Sequence, residues 1–261
     1  MPSLKRLLRS TLLGLLPTSL ARPVVNRLGW RVARGARVGL SWIDVEELSL
    51  APGSFVRHMN YIRLRRLSLD EGANIHNVNS IKGPLDVVLG PMASIGNRNK
   101  VIRAPTGISV GEASLSLGVW SKITSGHYVD CTASVTMGDY VTIGGIGTQI
   151  WTHGYVHAMT GLDRYRIDGP VKLEANVYVG SGSIISMGVT LVRGVIVGAG
   201  TSVAKGLLEP GLYVSSPIRV LPRPVDPELR DDLERVPEGL SEDITYRKLA
   251  REGRDDVDTS A

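Results

Sequence analysis

LEANVYVGSGSIISMGVTLVRGVIVGAGTSVAKGLL, residues 173–208, decides the fold. Apolar residues return every six positions at Leu173, Val179, Ile185, Leu191, Val197 and Val203. Four residues after each stands one that is small, β-branched or, once, Leu: Val177, Ser183, Val189, Val195, Thr201 and Leu207. A helix would scatter these positions around its axis, and a plain strand alternates every two residues. A six-residue unit with two inward side chains suits one short flat strand and a corner, repeated as a coil. Gly180, Gly182, Gly188, Gly194, Gly198 and Gly200 fall near the corners, where the missing Cβ relieves backbone strain. The spacing predicts an all-β solenoid, a parallel β-helix. Its hand is not given by the period, and the usual rule for parallel crossovers would make it right-handed.

Composition agrees. The 261 residues are 43% hydrophobic yet include one Phe, which suits a narrow prism, and 30 glycines point to turns. With Cys131 alone, no intramolecular disulfide is possible, in keeping with a reducing, cytoplasmic setting. Net charge is +5 but uneven: residues 1–43 hold eight Lys or Arg and no acid, whereas residues 207–261 hold thirteen acids against eight bases.

Working outward, the hexads run clean from Val119, with Ile123, Val129, Val135 and Val141 at one inward position and Cys131, Met137 and Ile143 at the other. Cys131 is thus expected to be a core residue and not a nucleophile. Before that the pattern is worn: Leu50, Val56 and Ile62; then Leu69, Ile75, Ile81 and Val87; then Leu89, Ile95 and Val101, with offsets that imply bulges or long corners. Arg57, Arg63, Arg65 and Arg66 lie on or near outward positions. Without interleaved aromatics or a groove-reading helix, this stripe reads as a solvated face and not a nucleic-acid site.

The expected organisation is a basic amphipathic helical segment over 1–37, the β-helix over 38–208 with a loop at 150–170, and a C-terminal extension over 209–261. Leu4, Leu7, Leu8, Leu12, Leu15 and Leu16 share one face of a helix that Pro17 ends, and a second helix is expected over Pro23 to Leu28. The first is too short to span a bilayer, and Arg9 and Gly14 spoil it as a cleavable leader. It reads either as a cap on the coil or as a basic helix on the anionic inner face of a membrane. Past Leu221 the prolines mark an exit from the coil. A short helix is expected over Glu228 to Arg235 and disorder beyond about Arg251.

The frame breaks once in this reading, between Ile150 and Pro170, where Trp151-Thr152-His153-Gly154-Tyr155-Val156-His157 carries no hexad. A solenoid expels loops at its corners without disturbing the core, and such loops carry function. His153 is therefore a candidate general base. His127 and Asp130, in Ser125-Gly126-His127-Tyr128-Val129-Asp130, are candidates to bind acceptor hydroxyls.

Gly138-Asp139, Thr152-His153, Asn176-Val177-Tyr178-Val179-Gly180-Ser181, Val197-Gly198-Ala199-Gly200 and Lys205 together resemble the hexapeptide-repeat acetyltransferases. The branch most similar is that of the galactoside, maltose and polysaccharide O-acetyltransferases and the xenobiotic acetyltransferases. The resemblance implies a left-handed β-helix, a homotrimer with clefts between prisms, and acetyl-CoA as donor with no metal. Carried over position by position, it implies His153 as base, Ser181 and Ala199 along the pantetheine arm, and Lys205 and Arg219 as basic groups near the cofactor. Ser216, Ala204 and Tyr178 depart from the family's usual Asn, Thr and Trp. The implied reaction is acetyl transfer to a saccharide hydroxyl in surface-polysaccharide assembly, with backbone N–H groups at Gly180-Ser181 meeting the oxyanion.

Two other readings share the fold. The γ-class carbonic anhydrases bind zinc with three histidines, and His127, His153 and His157 offer three, though not at that family's spacing. A non-catalytic scaffold on a membrane would bind no acetyl-CoA.

Overall fold

The computed structural model describes residues 4–109, 111–157, 159, 164–215, 219–221, 229–231, 233–235 and 246–248. All twelve inward positions of the hexad stretch are buried, Leu207 least completely. The strands between them are two residues long, as at Tyr178–Val179, Ile184–Ile185, Thr190–Leu191, Ile196–Val197 and Ser202–Val203. Tyr178 pairs in parallel with Ile196, and Ile184 with Ser202, so three hexads make one turn and each turn stacks on the last. Each buried Val, Ile or Leu contributes about 1.5–3 kcal/mol, and the inward columns run the length of the coil.

About nine such turns form a parallel β-solenoid. One face is a ten-stranded sheet; the other two belong to a fourteen-stranded sheet that bends around an edge. The bend lies in the nine-residue strands Trp42–Leu50 and Tyr61–Leu69. The first half of the latter pairs with Ser80–Lys82 and its second half with Asp86–Leu89. Strands that run through a corner explain the worn early hexads: Ile62 and Leu69 are both core residues, but the step between them is not six.

The corner glycines divide into two kinds. Gly182, Gly188, Gly194 and Gly200 have φ between 68° and 78°, the left-handed region that disfavours a side chain. Gly180 does not; there a Cβ would stand 2.6 Å from the Ala199 nitrogen, so glycine is required by close stacking of successive turns.

Another corner carries a polar column inside the coil. Asn60 Oδ1 accepts from the Asn79 N–H at 2.9 Å, Asn79 Oδ1 from Asn99 at 2.8 Å, and Asn99 Oδ1 from His127 at 2.9 Å. Their amide nitrogens donate to the carbonyls of His76, Gly96 and Thr124. These otherwise orphaned corner groups are thereby satisfied without water.

Among the described residues the chain leaves the coil twice. The expected excursion near 150–170 is an antiparallel hairpin, His153–His157 with Arg164–Asp168. The second, between Lys100–Ile102 and Ser114–Leu117, was not expected. The buried guanidinium of Arg103 organises it, donating to the carbonyls of Pro84 and Gly111. The two meet where Arg166 donates to the Ile108 carbonyl at 2.5 Å.

At the N-terminus, α1 (Leu4–Leu15) and α2 (Thr18–Arg27) close the coil. Leu13, Ala21 and Val25 continue the core. The second helix begins at Thr18, not Pro23, and contains Pro23. Thr18 Oγ1 ties it to the first turn by accepting from the Val38 N–H and donating to the Val38 carbonyl.

At the other end the coil passes residue 208. Leu212–Val214 pairs with Ile196–Val197, and Arg219–Leu221 returns antiparallel on it, so that one compact unit covers Met1–Leu221. In the second unit, from Pro222, the described residues include a hairpin of Leu233–Arg235 with Tyr246–Lys248, which corrects the helix expected over Glu228 to Arg235. The stretch expected to be disordered, 251–261, lies outside the described residues.

Candidate active site

His153 opens the hairpin at the point where the chain leaves the coil after Ile150. Its Nδ1 lies 2.9 Å from Asp130 Oδ2 and 3.2 Å from Thr132 Oγ1. A carboxylate accepts, so Nδ1 carries the proton and Nε2 keeps its lone pair. Nε2 has no hydrogen-bond partner among the described residues, and the side chain is 25% exposed. Trp151 and Tyr155 flank the ring edge-on at 6.0 Å each, and Tyr128 leans on Trp151 at 4.9 Å. A basic nitrogen thus faces outward beside an aromatic wall.

Asp130 is 3% exposed, too buried to meet an acceptor, which corrects its expected role. Besides the imidazole it accepts from the Thr152 hydroxyl at 2.7 Å, the Thr152 N–H at 3.1 Å and the Thr132 hydroxyl at 3.0 Å. Burial pushes its pKa up. The hydrogen bonds from Thr152 and His153 outweigh that, and the carboxyl stays below its usual range as a fixed anion. Asp130 holds the His153 imidazole from inside the coil. Trp151, Thr152 and Tyr155 were visible in sequence as part of the loop, whereas Tyr128 and Thr132 gave no signal as partners of His153.

His127 is corrected as well. It is 2% exposed and forms the fourth side chain of the polar column after the three asparagines. Nδ1 accepts from the Thr148 N–H at 3.2 Å, so Nε2 carries the proton and donates to Thr124 Oγ1 at 2.9 Å. Burial lowers its pKa, opposed by backbone hydrogen bonds with Gly145 and Thr148, which favours the neutral ring. Both nitrogens are in use, so His127 offers neither an acceptor contact nor a zinc ligand. His157 lies exposed on the hairpin. Among the described residues no group of three or more His, Cys, Asp or Glu is placed to hold a metal. Cys131 is fully buried, and burial pushes its thiol far above the ordinary range.

The remaining candidates lie on the last turns. Ser181 is half-buried at the corner before Ile184–Ile185, where its hydroxyl donates to the Ile146 carbonyl at 2.7 Å. Ala199 is exposed one turn on, at the same corner. Lys205 is exposed at the corner after Ser202–Val203, the side of the face on which the hairpin leaves. Arg219 pairs with Val214 in the closing ladder. The Gly180 N–H is already given to the Val197 carbonyl at 2.8 Å and is not available to an oxyanion. Among the described residues no hydrogen bond joins His153 to Ser181, Ala199 or Lys205.

Compared with solved structures, the chain matches the polySia specific acetyltransferase NeuO at 16% identity, over 74% of this chain and 86% of that one, with a TM-score of 0.52. It has the left-handed β-helix fold. The left-handed β-helix corrects the hand favoured by the crossover rule, which rests on wide connections that wrap a helix over a sheet. Here a corner of a few residues joins two-residue strands. Two further matches are the hexapeptide-repeat acetyltransferase VCA0836 of Vibrio cholerae O1 biovar eltor, complexed with acetyl coenzyme A, and the polysialic acid O-acetyltransferase OatWY. The first is 22% identical over 54% of this chain and 69% of that one, TM-score 0.39; the second is 13% identical over 74% and 84%, TM-score 0.44. No protein-family model and no curated protein sequence matches the chain.

Proposed function

We propose that this left-handed β-helix is a hexapeptide-repeat acetyltransferase, moving acetyl from acetyl-CoA to a saccharide hydroxyl as a cytoplasmic homotrimer in surface-polysaccharide assembly. The observation that carries the reading is the His153 geometry: Nδ1 held by a buried carboxylate, Nε2 free, and aromatic rings beside it. Sugar rings stack on such walls through their C–H faces, which suits a saccharide better than a small polar acceptor.

An acceptor hydroxyl is too weak an acid to ionise at neutral pH. His153 Nε2 takes its proton as the oxygen attacks the thioester carbonyl carbon. Asp130 stabilises the imidazolium that forms and keeps the ring in its tautomer. The C–S bond then breaks, and Nε2 returns the proton to the leaving thiolate, which restores the neutral base. No covalent acyl-protein is needed, in accord with a Cys131 sealed in the core.

Acetyl-CoA fits the last turns chemically. The corner at Gly180 and Ala199 has no bulky side chain to obstruct a long flexible arm, and Lys205 is an exposed cation of the right sign for phosphate. Ser181 and Ala199 stand across one face of the prism from the root of the hairpin. A second copy packed against that face would complete the cleft, which is the argument for a trimer.

The deciding experiment has two readouts, a thermal-shift titration with CoA and release of CoA thiol from acetyl-CoA with oligosaccharide acceptors. Saturable CoA stabilisation with acceptor-dependent thiol release is expected. No stabilisation by CoA would instead support the scaffold.

A further inference from the structure

The two N-terminal helices close the coil with the wrong face outward for a simple cap. Solenoid caps turn a polar surface to water. Here α1 packs its polar side inward. Arg9, Ser10 and Gly14 are buried with Leu13, and Arg6 pairs with Asp44 and Glu46. Gly14 permits this, since a Cβ there would stand 2.6 Å from the Ser41 carbonyl oxygen. Arg9 is seated over the Trp30 ring at 4.8 Å and donates to the Leu28 carbonyl. In consequence most of the leucine face points away from the protein: Leu4 is 83% exposed, Leu15 68% and Leu20, on α2, 65%, with Leu7, Leu8 and Leu16 also exposed, whereas Leu12 packs partly against the core.

Charge says what could cover this face. The first 43 residues hold eight cations and no acid. Arg22, Arg34, Arg37 and Arg57, with His58, line a cavity of about 1010 Å³ between α2 and the first two turns, and no Asp or Glu lines it. Among the described residues Arg22, Arg34 and Arg37 make no ion pair, and Arg57 stacks on Phe55. Four guanidinium groups around one opening form a site for phosphate oxygens. Exposed leucines together with unpaired arginines are the two signals that hold a protein on an anionic bilayer. Among the described residues no helix is long and apolar enough to cross one.

We propose that the N-terminal end of the prism docks on an anionic phospholipid surface, α1 laying its leucines into the interface and the arginine cavity taking a lipid phosphate. The proposal does not rest on acetyl transfer. Flotation of the full chain with phosphatidylcholine vesicles, with and without phosphatidylglycerol, tests it across a salt series. Binding is expected only to the anionic vesicles, weakening as salt rises. The Arg34→Ala/Arg37→Ala variant should bind about 30-fold more weakly, at roughly a factor of five for each charge. The exposed-face variant Leu7→Glu/Leu15→Glu should not float at all, with unchanged sedimentation mass and melting temperature. Equal binding to neutral vesicles, or no binding to anionic ones, overturns the proposal. So does a leucine variant that still floats, or one that changes the oligomeric mass, since the face would then lie between copies. If millimolar inorganic phosphate stabilises the chain while vesicles do not float it, the cavity takes a free anion and the membrane is excluded.

Discussion

His127 and His153 stand at the two edges of one face of the coil, His127 just before the strand Tyr128–Asp130 and His153 after Gln149–Ile150, which stacks on it, and their surroundings make different chemistry of the same ring. His127 fills a place that asparagines fill in earlier turns, and the column uses both of its nitrogens. His153 gives one nitrogen to a buried carboxylate and leaves the other open. A neutral histidine whose one nitrogen is fixed as a donor presents the other, with its lone pair, in a defined direction. At His127 the coil corner satisfies both ring nitrogens, because an orphan there would cost about 1–3 kcal/mol. The hairpin root, partly in solvent, can leave one lone pair free at little cost.

The sharpest way to break this contrast is His153→Ala. Acetyl transfer should fall by roughly 10² to 10⁴ while CoA affinity holds, as separate turnover and thermal-shift measurements would reveal. Near-normal turnover would remove His153 from the chemistry. A smaller loss, about 10 to 10²-fold, is expected for Asp130→Asn, whose amide can present an N–H to Nδ1 and favour the wrong tautomer. If Asp130 only holds the hairpin in place, the loss would come with a raised acceptor KM and a lowered melting temperature; a positioning role requires kcat to fall while both are kept.

Trp151→Ala tests the aromatic wall. The acceptor KM should rise about tenfold with kcat little changed, since stacking contributes about 1–1.5 kcal/mol and is made equally in the ground and transition states. A kcat effect without a KM effect would contradict that.

The smallest effect on turnover should come from His127→Asn, which substitutes the residue that the column already uses. Rates should stay within a few-fold, and the difference should appear in stability against pH. Because burial lowers the His127 pKa, the unfolded chain takes up a proton near pH 6.5 that the folded chain refuses. Its contribution is therefore complete above about pH 6.5 and is lost as pH falls below it. Melting temperatures from pH 7.5 to 5 should fall less steeply in His127→Asn than in the parent. His76, lowered by burial and by Arg57, will keep some of the slope. Equal slopes would mean that the column does not hold His127 neutral.

From the sequence by itself came the solenoid, the inward positions of residues 173–208, the core place of Cys131 and the excursion bearing His153. All of these are periodic or break a period, and a two-residue strand with a corner leaves few other ways to bury two side chains in every six. Periodicity failed where the chain ran straight through a corner at Tyr61–Leu69, and at the excursion after Ile102, whose anchor Arg103 is a single buried residue without a repeat. Only the tertiary structure decided the roles of Asp130 and His127, because inward and outward differ at a corner by a rotation of the side chain that spacing does not record. It also decided which face of α1 is seen by solvent. Amphipathicity gives a helix two faces, but which one packs depends on its neighbours: Asp44 and Glu46 draw Arg6 inward, and Gly14 lets the polar side lie against Ser41.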